Sequence, residues 1–223
     1  MIALVDVKIP AVESDTPLVE SLSVKMEAGT WNEIIGPAGA GKTALFEILS
    51  LRRTPPKGKL VIAGRNISRL KKGGLAKLRR EVGSCPQEIT LLPERTVVEN
   101  TILPLVVRGM GREGLKTAEE TLGFLGLMHR RDTPVGCLSE QEQILVGLSM
   151  ATVGSPKVIL IDGVHERLES GSRGLVMSWL KKRSQKGSTV VLLGRKALNR
   201  RDDATLWRLK DGAVERTGEV DRC

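Results

Sequence analysis

Residues 36–43 read GPAGAGKT and fit the pattern G-x-x-x-x-G-K-[ST]. That spacing is suited to gripping phosphate. Gly36, Pro37, Ala38, Gly39, Ala40 and Gly41 form a loop whose backbone N–H groups can curl into an anion-binding nest. Lys42 is expected to reach the β- and γ-phosphates of a nucleotide, and the Thr43 hydroxyl to bind Mg²⁺. Such a loop needs a second group, an Asp at the end of a buried strand. KVILID (157–162) supplies Asp162, expected to hold the Mg²⁺ shell. The implied ligands are the β- and γ-phosphates of a nucleotide and Mg²⁺.

The flanking elements must position these groups. Residues 1–7 and 18–26 read as strands, and Trp31–Ile35 is a short run that stops at the Gly-rich loop. Ala44–Leu51 has helical spacing, so the loop opens a helix. A basic Pro/Gly connector (52–59) precedes a hairpin around Ala63-Gly64, then a basic helix over 74–80. From 88 to 153 the pattern turns helical, with Pro93 and Pro104 as breakers. Helices are expected at Lys116–Leu127 and Gln141–Thr152. Ser139 is placed as N-cap of the second, with Glu142 three residues later. KVILID and TVVLLG (189–194) are apolar on both faces, which belongs in a parallel sheet covered on both sides. Gly174–Lys182 reads as a helix, and 206–215 as a hairpin turning at Asp211-Gly212. The fold class is α/β. A nucleotide-binding core is expected over 1–87 and 154–223, with N-terminal antiparallel strands, and a helical subdomain over 88–153.

Composition narrows the classes. The chain has 223 residues, 40% hydrophobic and 27% charged, which is globular. No apolar run approaches the roughly 18 residues of a spanning helix, and no signal peptide is read at the N-terminus. Cys85, Cys137 and Cys223 are too few and scattered for a disulfide framework or zinc site, which points to a reducing cytoplasm. His129 and His165 are isolated, so no metal site is expected of them. The net charge of +9 fits phosphate ligands, an anionic membrane surface or nucleic acid. With 2% aromatics and no recognition motif, nucleic acid is set aside. The basic stretches 69–80, 181–186 and 195–201 read as solvated faces, or as contacts to anionic headgroups.

The two motifs, their order and the inserted helical segment resemble the ATP-binding subunits of ABC transporters. Segments 67–83 and 91–109 look like the cell-division FtsE type and are similar to lipoprotein- and macrolide-exporter ATPases. The resemblance covers nearly the whole chain. It implies a P-loop, RecA-like core with a helical arm that docks on a membrane permease at the inner face of the plasma membrane. It also implies two subunits, identical or different, that bind two ATP molecules head to tail. Lys42, Thr43 and Asp162 match the family's phosphate and magnesium positions. Gln87 falls at the Q-loop, where an amide contacts Mg²⁺ or the attacking water.

Other positions depart from the family. The general-base Glu directly after the magnesium Asp is Gly163 here. His165 and Glu166 lie nearby, but the spacing sends them into a different loop. The signature L-S-G-G-Q becomes Leu138, Ser139, Glu140, Gln141, Glu142. Side chains replace the glycines that let backbone approach phosphate, and a carboxylate repels it. The switch His is Arg195, which can still hydrogen-bond a γ-phosphate but does not relay a proton. Glu169 falls at the D-loop Asp, and Val12 falls near the adenine-stacking aromatic. The resemblance thus implies an ATP-binding subunit with hydrolysis weak or lost. The alternatives are an active ATPase with a substitute base, and a structural pseudo-subunit indifferent to nucleotide.

Overall fold

The computed structural model describes residues 1–10, 17–198 and 204–217. The chain opens with β1 (Ile2–Ile9) and β2 (Val19–Met26), paired antiparallel. Next, β3 (Trp31–Ile35) leads to α1 (Lys42–Leu49). The hairpin of β4 (Lys59–Ile62) and β5 (Arg65–Asn66) turns at Ala63-Gly64, as expected. After it come α2 (Lys72–Arg79) and β6 (Val82–Cys85). Three helices follow: α3 (Val97–Val107), α4 (Gly111–Phe124) and α5 (Glu140–Thr152). The chain then runs through β7 (Val158–Asp162), α6 (Ser170–Gln185) and β8 (Thr189–Gly194). It finishes with a hairpin of β9 (Ala204–Lys210) and β10 (Ala213–Thr217). Val12, Asn199–Arg201 and Cys223 lie outside the described residues.

Two sheets result. One is antiparallel, in the order β2-β1-β4-β5; the other runs β10-β9-β3-β8-β7-β6. In the second, β9, β3, β8, β7 and β6 are parallel neighbours. Its central strands are buried on both faces, and alternate residues serve different cores. Ile159, Ile161, Val190 and Leu192 pack towards α5 and α6. Val158, Leu160, Val191 and Leu193 pack with α1 and the antiparallel strands. Each such side chain contributes about 1.5–3 kcal/mol on burial. The continuous apolar runs of the sequence are this arrangement seen along one strand.

β3 is less apolar than its sequence run suggests. Asn32 and Glu33 are buried in it, and both find donors. The Trp207 indole donates to Asn32 Oδ1 at 3.2 Å, and the Trp31 indole to Glu33 Oε1 at 3.1 Å. Trp31, Trp179 and Trp207 are all buried.

Three expectations are corrected. Pro104 does not break a helix; it lies inside α3. Proline there deprives the Asn100 carbonyl of its i+4 donor. The helix persists because Val97, Val98 and Leu105 are buried and Thr96 with Glu99 forms a capping box. Second, the basic stretch 181–186 is not wholly solvated. Arg183 is buried, stacked 4.0 Å over the Trp179 ring and bonded to Ser155 Oγ at 2.6 Å. Third, β6 is an element that the sequence reading passes over. VGSC is short and lacks alternation. Gly83 is needed where α5 ends against this strand: an added Cβ would lie 1.8 Å from the Ala151 carbonyl oxygen.

Gly83→Ala should therefore destabilise by about 3 kcal/mol. Gly73→Ala, on exposed α2 with nothing near its added Cβ, should stabilise by about 0.5–1 kcal/mol. Urea unfolding of the two variants checks both signs.

Candidate functional site

β3, β8 and β7 end level with one another. Ile35 pairs with Gly194, and Asp162 with Leu193. β3 runs directly into the loop 36–41. Gly41 then sits at φ 98°, a left-handed conformation that suits glycine, and α1 starts at Lys42. β6 delivers Gln87 from the neighbouring position. The loop, Asp162, Gln87 and Arg195 therefore line one cleft of about 680 Å³.

Lys42 Nζ lies across the loop and donates to the carbonyls of Gly36 at 2.8 Å and Pro37 at 2.7 Å. Burial lowers its pKa from the usual lysine value, against the opposing charges of Asp162 and Glu166. Burial raises the Asp162 carboxyl, while a hydrogen bond from Thr43 and the Lys42 charge hold it down. Asp162 Oδ2 is buried with no hydrogen-bond partner among the described residues. An orphaned carboxylate oxygen beside a hydroxyl suits a hard divalent cation, whose charge offsets the burial. Thr43 and Asp162 thus fit Mg²⁺, and Gln87 faces the same space.

Position 163, next to Asp162, has a special backbone as well as no side chain. Gly163 has φ 69° and starts a single 3-10 turn over Val164–Arg167. A Cβ there has room, 4.0 Å from Gln87, but the backbone is left-handed. A carboxylate introduced at this position would meet about 1–2 kcal/mol of backbone strain.

The turn overrules one expectation from the sequence. Spacing sent Glu166 into another loop, yet it lines the cleft. One 3-10 turn is enough to swing it back beside Asp162. Its Oε1 accepts the backbone N–H of Arg195 at 2.6 Å and that of Lys196 at 3.4 Å. Arg167, which the sequence does not single out, also lines the cleft. His165 does not face it; the ring is buried, and burial pushes its pKa down to about 4.

The segment Leu138–Glu142 does not line this cleft. Ser139 caps α5: its Oγ accepts the Glu142 N–H at 3.3 Å, and Glu142 Oε2 accepts the Ser139 N–H at 2.9 Å. Those bonds hold the Glu142 carboxyl below the usual value. Glu140 forms an ion pair with Arg167. Both ends of the Gln141 amide are engaged. Nε2 donates to the Arg167 carbonyl at 2.9 Å, and Oε1 accepts the Glu169 N–H at 3.1 Å. Arg167 in turn donates to the Gln87 carbonyl at 3.2 Å. The Glu140 and Gln141 side chains therefore tie α5 to the turn after Asp162 of the same chain.

A family model described as ABC transporter matches residues 19–165. The chain belongs to the ABC transporter family. It is 33% identical over 196 residues to the macrolide export ATP-binding/permease protein MacB of Chlorobium luteolum, covering 86% of this chain and 30% of that protein. It is 32% identical over 181 residues to the cell division ATP-binding protein FtsE of Streptococcus pneumoniae, covering 81% and 79%. It is 30% identical over 188 residues to the methionine import ATP-binding protein MetN of Cupriavidus metallidurans, covering 83% and 55%. The chain thus spans under a third of that macrolide-export protein and about half of that methionine-import protein. The ATP-binding cassette MJ0796, in a dimeric post-hydrolysis state bound to ADP and Pi, superposes with a TM-score of 0.88. The identity is 27%, and each chain is covered in full. The fold is the P-loop ABC ATPase fold, as the sequence motifs imply. Among the described residues, no helix is long and apolar enough to cross a membrane.

His165 makes the fold acid-sensitive. The unfolded chain takes up its proton near pH 6.5, the folded chain only near 4. Between those values the unfolded state binds more protons, so stability falls as pH falls, by about 3 kcal/mol in all. Melting temperatures of His165→Gln should drop less steeply than wild type between pH 6.5 and 4. Parallel curves would contradict this assignment.

Proposed function

We propose that this chain is the ATP-binding subunit of a membrane-associated ABC transporter-type complex, of FtsEX-like or exporter kind, with hydrolysis weak or lost. One observation carries the reading. Residues of the Gly-rich loop line one cleft with Lys42, Thr43, Gln87 and Asp162, while the residue after Asp162 is a glycine in left-handed conformation. Loop 36–41 and Lys42 bind the phosphates. Thr43, Asp162 and Gln87 hold the magnesium, which when bound neutralises phosphate charge. Gly163 leaves the attacking water without its base, a loss typically of 10²–10⁴-fold.

In this reading residues 88–153 form an arm that docks on an integral permease. The core is 1–87 and 154–223. The chain sits at the inner face of the membrane and works as a homodimer or heterodimer. Glu140 and Gln141 hinder the approach of backbone to a partner's nucleotide, so binding matters more than turnover. Dimeric MJ0796 and the membrane-transport names of the relatives support the assembly. Glu166 in the cleft favours a second reading, an active ATPase with a substitute base. Its short bond to the Arg195 backbone weighs against it.

Melting curves test nucleotide binding. Mg-ATP at a hundredfold excess over Kd should stabilise the chain by about 2.7 kcal/mol. Lys42→Ala should abolish most of that shift. A wild-type curve unmoved by Mg-ATP would contradict the reading and favour a nucleotide-independent subunit.

A further inference from the structure

Glu166 is a cleft carboxylate that phosphate and magnesium binding leave without a role. Its Oε1 holds the N–H groups of Arg195 and Lys196. Two residues on, the Leu198 N–H donates to Glu33 Oε2 at 2.9 Å. The turn after β8 is therefore pinned by two carboxylates, one in the cleft and one in the core.

Two glycines permit the first contact. At Gly194 an added Cβ would lie 2.6 Å from Glu166 Oε1 and 3.3 Å from His165 Nε2. At Gly163 the left-handed backbone starts the turn that returns Glu166 to the cleft. Positions 31 residues apart, each lacking a side chain, thus serve one hydrogen bond. Arg195 lines the same cleft as Lys42, Asp162 and Glu166.

We propose that Glu166 is a positioning residue: it holds the backbone at Arg195 so that the guanidinium meets the terminal phosphate of bound ATP. It thereby sets a preference for ATP over ADP. The inference rests on the nucleotide-binding reading above. Oε1, committed to backbone N–H groups, acts as a strut.

The test measures Kd for Mg-ATP and Mg-ADP with the full chain, by calorimetric titration. Wild type, Glu166→Ala, Glu166→Gln and Gly194→Ala are compared. Glu166→Ala should reduce the ATP-over-ADP preference about tenfold, the worth of one strong hydrogen bond, with Mg-ADP affinity nearly unchanged. Glu166→Gln should keep the preference, because the amide oxygen accepts the same N–H groups. Gly194→Ala should resemble Glu166→Ala, because the added methyl displaces the carboxylate. An unchanged preference in Glu166→Ala overturns the proposal. So does equal loss of both affinities, the mark of a merely structural role. Loss in Glu166→Gln as large as in Glu166→Ala also overturns it, because charge rather than hydrogen bonding would then be at work. A wild-type chain that binds neither nucleotide overturns the nucleotide reading, and this inference with it.

Discussion

Parallel pairing of β3, β8 and β7 brings Ile35 level with Gly194, and Asp162 level with Leu193. The rest of the site depends on that register. It sets the Gly-rich loop, the aspartate and Arg195 together at the C-terminal ends of these strands, although they are far apart in sequence. The register is held by apolar side chains on both faces of these strands. A one-residue slip would exchange the two cores and carry Asp162 away from Lys42. Binding chemistry and core packing are thus set by the same interaction.

On that frame, the details of the cleft are local. The phosphate loop, Lys42, Thr43 and Asp162 stand together, and Asp162 keeps an orphaned oxygen suited to a cation. Beside them, several contacts are coupled. Gly163 is left-handed, Glu166 reaches the backbone at Arg195, and Glu140 and Gln141 are bound to Arg167 and Glu169. Glu140 and Gln141 make contacts within the chain, and Gly163 opens a turn that brings Glu166 to the cleft.

How much of this was legible in the sequence follows from the range of each interaction. KVILID and TVVLLG act locally through strand burial and read correctly as buried strands, and GPAGAGKT reads correctly as a loop that opens a helix. The Ser139 cap, three residues from Glu142, reads correctly for the same reason. β6 is invisible because its four residues are strand only by pairing with β7, and Gly83 is dictated by Ala151, 68 positions away. Pro104 misleads because burial of α3 outweighs a missing hydrogen bond. Glu166 misleads because counting residues ignores the compact turn that Gly163 begins. Its signal was present as a glycine at 194, just before Arg195, but that carries meaning only once the two strand ends are known to meet.

The central claim is that this cleft keeps ATP and scarcely turns it over. A single-turnover experiment tests it most directly. Protein is held in excess over labelled Mg-ATP, and bound ATP and ADP are followed together. The account predicts that nucleotide binds and persists as ATP, with ADP formed about 10²–10⁴-fold more slowly than at a site with an intact base. Formation of ADP at about 1 s⁻¹ or faster, within the ordinary enzymatic range and abolished by Lys42→Ala, would contradict it.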